Sequence, residues 1–341
     1  MGSNEINMKE IALTDFQRVK VIDSGAPQIA KPNEVLIKVK KVTLCGSDIS
    51  YFNRKTLPYD LQYPIVLGHE VSGEIIDVGK HVDSLKKGDR VSVEPQYYCG
   101  ECDYCKKGLY QFCVHSKFLA SRGYPGALKE YLVWDYKSVH KLPDSLSYES
   151  GALLEPMSVA YSGIKKLCLE NSSNRKVLIL GGGAIGLLVA MLLNSLFPKV
   201  EYLIVDQYEE RIKQASALGI SKEKFNSLLR GEKVTDIIDT TGNSKLIMSY
   251  MSRLDYTGNL VMIGLSDSQI VFQVRNFIYN GWSIKTVYRY TNTWPFLINL
   301  LENGGLVPDK IITQTYSISD AQSAFEISND KRKSIKVCIN F

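Results

Sequence analysis

Four side chains of the types that bind a borderline-soft metal ion stand in three short motifs. Cys45 lies in LCGSDIS, His69 and Glu70 in LGHEVSG, and Glu155 in LLEPMSV. Thiolate, imidazole and carboxylate together suit zinc. Three protein donors and one open position make a catalytic site, because the open position accepts a reacting oxygen and lowers its pKa. A single histidine or buried cysteine is more often plain core, so the weight rests on these residues occurring together with the two motifs that follow. Cys45 and His69 are expected on the metal. Glu70 and Glu155 compete for the third place, with Glu70 favoured and Glu155 expected towards the substrate.

Residues 99–113, CGECDYCKKGLYQFC, hold four of the seven cysteines in a C-x2-C-x2-C-x7-C pattern. Four thiolates from one short loop can wrap a zinc ion tetrahedrally, with Zn–S of about 2.3 Å and no open position. Such a site does no chemistry, and its binding free energy orders a loop with little core of its own. A ferredoxin run also begins C-x2-C-x2-C, but it closes after three residues and a proline follows. Here the gap is seven and Val114 follows. An odd cysteine total also argues against a disulfide framework. Cys99, Cys102, Cys105 and Cys113 are therefore read as a structural zinc site separate from the first. Cys168 and Cys338 are read as ordinary buried residues.

A second chemistry is written in KVLILGGGAIG, residues 176–186. An apolar strand runs into a glycine-rich turn and then a helix, and Gly181, Gly183 and Gly186 fit G-x-G-x-x-G. The first glycine makes the tight turn, the second lets the backbone approach a pyrophosphate, and the third lets helix and strand pack closely. Free N–H groups at the helix start then bind phosphate. The next strand ends at Asp206, twenty residues past Gly186. A carboxylate there accepts hydrogen bonds from the adenosine ribose and repels a 2′-phosphate, which favours NAD over NADP. Arg211 works against that preference, since a nearby arginine can hold a phosphate. Ile185 is expected over the nicotinamide half or the pyrophosphate turn. Gly264 and Leu265 are expected to line the cofactor cleft, because ligands sit at the carboxyl ends of parallel strands.

Positioning these residues takes two kinds of scaffold. A chain of 341 residues divides into about two domains of roughly 100–200 residues each. VLIKVKKVTL (35–44), VSGEIIDVG (71–79) and DRVSVEP (89–95) are β-branched runs broken by turn residues, so the first part reads as β-rich. From about 150, short apolar strands alternate with helical stretches: KVLIL (176–180), IGLLVAMLLNSL (185–196), YLIVD (202–206), DIIDTTG (236–242) and NLVMIGL (259–265). That alternation means βαβ units and a parallel sheet. The fold class is therefore α/β, a doubly wound Rossmann sheet plus a β-rich catalytic domain carrying the four-cysteine lobe. The expected division is 1–155 for the β-rich domain, with the lobe at 95–115, then 156–284 for the Rossmann domain, then 285–341 returning to the first. NLVMIGL and WSIKTVY are candidate sheet edges where a second copy could pair.

Composition excludes several classes. The chain is 45% hydrophobic and 23% charged, and its net charge of +5 comes from 41 basic and 36 acidic residues without a basic run. Nucleic acid is not expected as a partner. The apolar run at 184–193 is shorter than the about 20 residues that span a bilayer, so no membrane role is expected. MGSNEINMKE lacks the apolar core of a signal peptide, and Ile6 departs from the myristoylation pattern. A cytoplasmic protein with reduced thiols is the expectation.

Taken in order, LCGSD, GHEVSGEI, the four-cysteine run, LEPMSV and GGGAIG resemble the zinc-dependent medium-chain dehydrogenases over nearly the whole chain. Glu155 combined with GHE at 68–70 resembles the polyol branch, the sorbitol and xylitol dehydrogenases; simple alcohol dehydrogenases carry cysteine at the position of Glu155. YRYTNTWP (288–295) resembles a segment that lies beside the substrate in sorbitol dehydrogenases. The resemblance implies a GroES-like catalytic domain, two zinc ions per chain, NAD, and a homo-oligomer, dimer or tetramer. It implies reversible oxidation of a secondary hydroxyl of a small polyol to the ketose. It also implies that Ser47 accepts the substrate's proton, that Tyr51, Arg289 and Tyr290 contact substrate, and that Glu70 and Glu155 can exchange on the metal. Ser50 stands where related polyol enzymes often carry histidine, so water is expected to carry the proton onward. A phosphorylated sugar alcohol, with charge from Arg54, Lys55 and Arg122, and an amino-alcohol such as threonine are alternatives. A non-catalytic nucleotide-binding regulator or structural subunit is the alternative from another class, and the presence of all four donors weighs against it.

Overall fold

Val35, Ile37 and Val39 are fully buried while Lys38 between them is exposed. This is the period-two pattern of a strand with one face on a core. The strand, Glu34–Thr43, shifts register between Val39 and Lys41. The bulge resets the alternation, so Val42 rather than Lys41 turns inward. The computed structural model describes residues 7–58, 61–121, 124–167, 169, 175–220, 231–265 and 269–341. Among these, Glu34–Thr43 lies in a seven-stranded sheet, between Glu70–Val78 on one side and Lys336–Asn340 on the other, with Tyr131–Asp135 also paired to it. Both path neighbours run antiparallel to it. The end of Glu34–Thr43 therefore stands beside the beginnings of the other two. Ile37, Ile75, Val91, Leu132, Phe325 and Ile339 are among the buried residues of the core beneath.

These elements form one compact unit, Met1–Glu155 with Trp294–Phe341. The other unit is Pro156–Thr293. Its sheet has five parallel strands in the order Glu201–Val205, Lys176–Leu180, Val234–Asp239, Leu254–Met262, Ser283–Thr286. Val177, Leu178, Ile179 and Leu180 are all fully buried, as befits a strand covered on both faces. The helix Ala184–Leu196 that follows is buried from Gly186 to Leu193. The change of unit falls after Thr293 rather than at 284/285, because Ser283–Thr286 is hydrogen-bonded into the parallel sheet. NLVMIGL is likewise not an edge: Leu254–Met262 has neighbours on both sides, whereas Ser283–Thr286, within WSIKTVY, lies at one end of the sheet and Glu201–Val205 at the other.

Helix and strand approach each other most closely at Gly186, where a Cβ would lie 1.9 Å from the Gly181 carbonyl oxygen. Gly186→Ala is expected to destabilise the parallel-sheet unit by at least about 1–3 kcal/mol, the usual cost of overpacking. Gly25→Ala, which has open space around its Cβ, is the matched control in denaturant unfolding. Equal midpoints for the two variants would contradict the close approach.

Candidate metal centre and nucleotide turn

Three strand ends assemble the first cluster. Thr43, closing its strand, pairs in register with Glu70, which opens the next. Cys338 pairs with Thr43, and Leu44 N–H donates to the Val337 carbonyl at 2.9 Å, which brings in Lys336 at the start of the third strand. Past Thr43 the chain enters the helix Gly46–Phe52, with Cys45 as its N-cap in extended conformation. Asp48, in that helix's first turn and 1% exposed, ties the two ligand loops together. Its Oδ2 accepts from Cys45 N–H at 2.9 Å, and its Oδ1 accepts from Gly68 N–H at 3.0 Å. Gly68 has φ +86, and a Cβ there would come within 2.8 Å of Leu128 Cγ. Only glycine holds this bend without strain.

The result is a tight donor set. One ligand atom each from Cys45, His69 and Glu70 lie within 4.8 Å of one another. His69 and Glu70 are buried, and Cys45 is half-buried. His69 Nδ1 stands 3.9 Å from Asp48 Oδ1, and its ring meets Phe118 at 5.4 Å between centroids. Burial alone would push the imidazole down, but the Cys45 sulfur, then Asp48 and Glu155, outweigh it and hold the ring up at about 10. So strong a pull on a proton marks a cluster with surplus negative charge, which a divalent cation would satisfy. Sulfur, nitrogen and oxygen donors at this spacing fit zinc.

Glu155 is 6% exposed in the helix Tyr148–Lys165. It acts on His69 and Lys336 through its charge but is not one of the three mutually close donors. Ser47 and Ser50 are exposed on the Gly46–Phe52 helix, and Ser50 Oγ accepts from Arg54 Nε at 3.4 Å. Tyr51 is half-buried against the core. Lys55 is exposed over the Phe16 ring. Arg122 and Cys168 lie outside the described residues, and Cys338 is fully buried. Thr43, Asp48 and Lys336 went unforeseen. Asp48 had a local signal, an acidic residue three past Cys45 at a helix start. Lys336 had none.

In the cysteine lobe, Gln96–Tyr97 pairs with Lys117–Phe118, and the short helices Asp103–Lys106 and Tyr110–Phe112 lie between them in sequence. The sulfurs of Cys99, Cys102, Cys105 and Cys113 lie within 4.8 Å of one another. Cys113 and Cys99 sulfurs are 3.5 Å apart, and Cys99 and Cys105 sulfurs 3.9 Å. Four sulfurs on a tetrahedron of about 2.3 Å radius stand about 3.8 Å apart. Backbone N–H groups of Glu101 and Cys102 point at Cys99 Sγ, and Cys99 N–H points at Cys113 Sγ. The Cys105 N–H pulls the Cys102 thiol down to about 6, whereas burial pushes Cys105 up to about 12. Four thiolates cannot share this space without a cation.

In the other unit, Gly181 has φ +105, and a Cβ there would meet Thr240 Oγ1 at 2.6 Å. Gly183 is the extended N-cap of the Ala184–Leu196 helix, and Ile185 is half-buried. Asp206 accepts from Gly182 N–H at 2.8 Å and from Tyr208 N–H at 2.9 Å. Arg211 Nη1 stands 3.7 Å from Asp206 Oδ2 and 3.2 Å from where a Gly183 Cβ would be. Its guanidinium thus lies along the turn. Gly264 packs against Gly242 N, and Leu265 is 90% exposed. Arg289, with φ +52, stacks over the Tyr288 ring at 5.0 Å, while Tyr290 is 2% exposed.

Two family models match the chain: an alcohol dehydrogenase GroES-like domain over residues 31–144 and a zinc-binding dehydrogenase over residues 184–303. Sorbitol dehydrogenase of Bacillus subtilis (strain 168) is 33% identical over 332 residues, spanning 94% of this chain and 93% of that protein. An alcohol dehydrogenase from Escherichia coli CFT073, solved with NADH, aligns with TM-score 0.87 at 26% identity over 98% of this chain and 99% of that one. Galactitol-1-phosphate dehydrogenase from Escherichia coli aligns with TM-score 0.83 at 26% identity, over 98% and 100% of the two chains.

Replacing Cys102 and Cys113 together by serine is expected to lower the zinc content by about one ion per chain, a closed site having lost half its ligands. Limited proteolysis should then cut within residues 99–113. Unchanged zinc content by plasma mass spectrometry would contradict the assignment.

Proposed function

This chain belongs to the zinc-binding alcohol dehydrogenase family, and from that premise we propose that it oxidises a secondary hydroxyl of a small polyol to the ketose, reversibly, with NAD as hydride acceptor. The observation that carries the proposal is the convergence of Cys45, His69 and Glu70 donors, with the Glu155 carboxylate acting on the same imidazole. A sorbitol dehydrogenase as a relative over nearly the full length supports the polyol class.

Cys45, His69 and Glu70 would hold the catalytic zinc, with Glu155 placed to exchange with Glu70 or to receive a substrate hydroxyl. Zinc bound there supplies a Lewis acid that makes a substrate hydroxyl easier to deprotonate. Asp48 fixes the backbones on either side, so the thiol and imidazole keep their spacing. The Ser47 hydroxyl, exposed on the helix that Cys45 caps, takes the proton released from substrate. With Ser50, exposed on the same helix, in place of a histidine, water carries the proton onward. Tyr51 and Arg289 supply donors for the remaining hydroxyls, and a site that pairs with them rejects substrates lacking them. Tyr290, the third substrate contact proposed, is 2% exposed, so little of its surface is open to a substrate.

NAD supplies the hydride acceptor, and the protein's part is placement. Gly181, Gly183, Ile185 and Gly186 form the pyrophosphate turn, and Gly264 with Leu265 flanks it. On binding, Asp206 accepts from the ribose hydroxyls and excludes a 2′-phosphate, and Arg211 steadies the carboxylate from beside the turn. Cys99, Cys102, Cys105 and Cys113 would hold the second, structural zinc. Homo-oligomerisation and a reducing, cytoplasmic setting complete the proposal.

Purified zinc-loaded protein is assayed against sorbitol, xylitol, L-arabinitol, galactitol 1-phosphate and threonine, each with NAD and NADP. The expected result is NADH formation with a free polyol and kcat/KM at least about tenfold higher with NAD, about 1.4 kcal/mol of discrimination. Asp206→Ala should erase that preference. Turnover of the phosphorylated substrate or threonine alone, or none at all, would overturn the polyol reading; an unchanged cofactor ratio would remove Asp206 from it.

A further inference from the structure

Behind the metal donors lies a buried ion pair that the proposed reaction does not use. Lys336 Nζ donates to Glu70 Oε1 and Oε2, each at 2.8 Å, and to the Leu44 carbonyl at 3.1 Å. Thr43 Oγ1 donates to Glu70 Oε2. Thr43, Glu70 and Lys336 are 0%, 1% and 4% exposed, so water does not compete for these bonds. The ammonium therefore spans the carboxylate of one donor residue and the backbone just before another, Cys45.

A carboxylate has about four lone-pair sites. Three donors from Lys336 and Thr43 already approach Glu70, and one of its oxygens also lies within 4.8 Å of the Cys45 and His69 ligand atoms. The same group thus faces a fixed monovalent cation on one side and the metal position on the other. Two cations dividing one carboxylate each hold it less tightly, and the effect is large where water is excluded.

We propose that Lys336 is a positioning residue that tethers Glu70 and weakens its grip on the metal, so that this ligand can leave when substrate oxygen arrives. The proposal rests on Cys45, His69 and Glu70 being the metal donors. It reverses the sign that a merely structural lysine would give. Removing the ammonium takes away the cation that competes for the Glu70 charge, and the ion is held more tightly. Losing a purely structural support would instead loosen the site and release the ion faster.

Holoenzyme, K336M, K336R, E70Q and the K336M/E70Q double variant are exposed to a soluble chelator, and loss of the non-lobe zinc is timed. K336Q, which keeps a donor but no charge, serves beside K336M should the latter fold poorly. K336M or K336Q is expected to release the ion about tenfold more slowly than the parent, as removal of an adjacent unit charge in a low-dielectric site implies. K336R should match the parent, and the slowing should vanish when Glu70 is already glutamine. Equal or faster release from both uncharged variants overturns the proposal, as does the same slowing in the E70Q background. A parent that binds zinc only at the four cysteines overturns the metal-centre reading itself, an outcome separate from either.

Discussion

Negative donors buried together are stable only beside compensating positive charge, and the strand ends of the β-rich unit gather such donors into one corner. Cys45, Asp48, His69, Glu70 and Glu155 interact within one region of low solvent access. Lys336 answers part of the charge directly, through Glu70. The rest falls on His69, whose imidazole would have to remain protonated far above its ordinary range. A divalent ion held by Cys45, His69 and Glu70 would take the place of that proton and satisfy thiolate and carboxylate together. Antiparallel registry makes this possible, because it gathers one strand end and two strand beginnings into the same corner.

The same physics separates the two cysteine-containing sites. At residues 99–113 all donors are sulfur, come from one short stretch, and are steadied by neighbouring N–H groups. A zinc ion held there would leave no position open for a substrate, and its binding energy would go into shaping the loop. At Cys45 the donors differ in kind and come from distant segments, so the site inherits its rigidity from the sheet. Breaking the Lys336–Glu70 pair without a metal present would leave an uncompensated buried charge, a loss of about 3–5 kcal/mol. Occupancy of the proposed metal site and the stability of this corner would thus be coupled.

What was legible in the sequence was local. KVLIL followed by GGGAIG specifies strand, turn and helix through steric demands within eleven residues, and Asp206 lies one strand further on. The cysteine spacing is similarly self-contained. Cys45 and His69 could be singled out by donor type within short motifs. Lys336 could not: it is 266 residues from Glu70, and inside KVCIN it reads as one more strand residue. NLVMIGL misled for a related reason, since an apolar run looks the same whether a strand has one neighbour or two. The limit of the nucleotide-binding unit slipped because Ser283–Thr286 is short and largely exposed, so its apolar signal is weak although its backbone completes the sheet.

The central claim is that Cys45 and His69 share a metal ion. Diffraction at the zinc absorption edge from crystals of the zinc-loaded protein tests it most directly. An anomalous peak within bonding distance of Cys45 Sγ and a His69 ring nitrogen is expected, with a glutamate oxygen as a further ligand. Anomalous density at the four-cysteine lobe with none between Cys45 and His69 would contradict it.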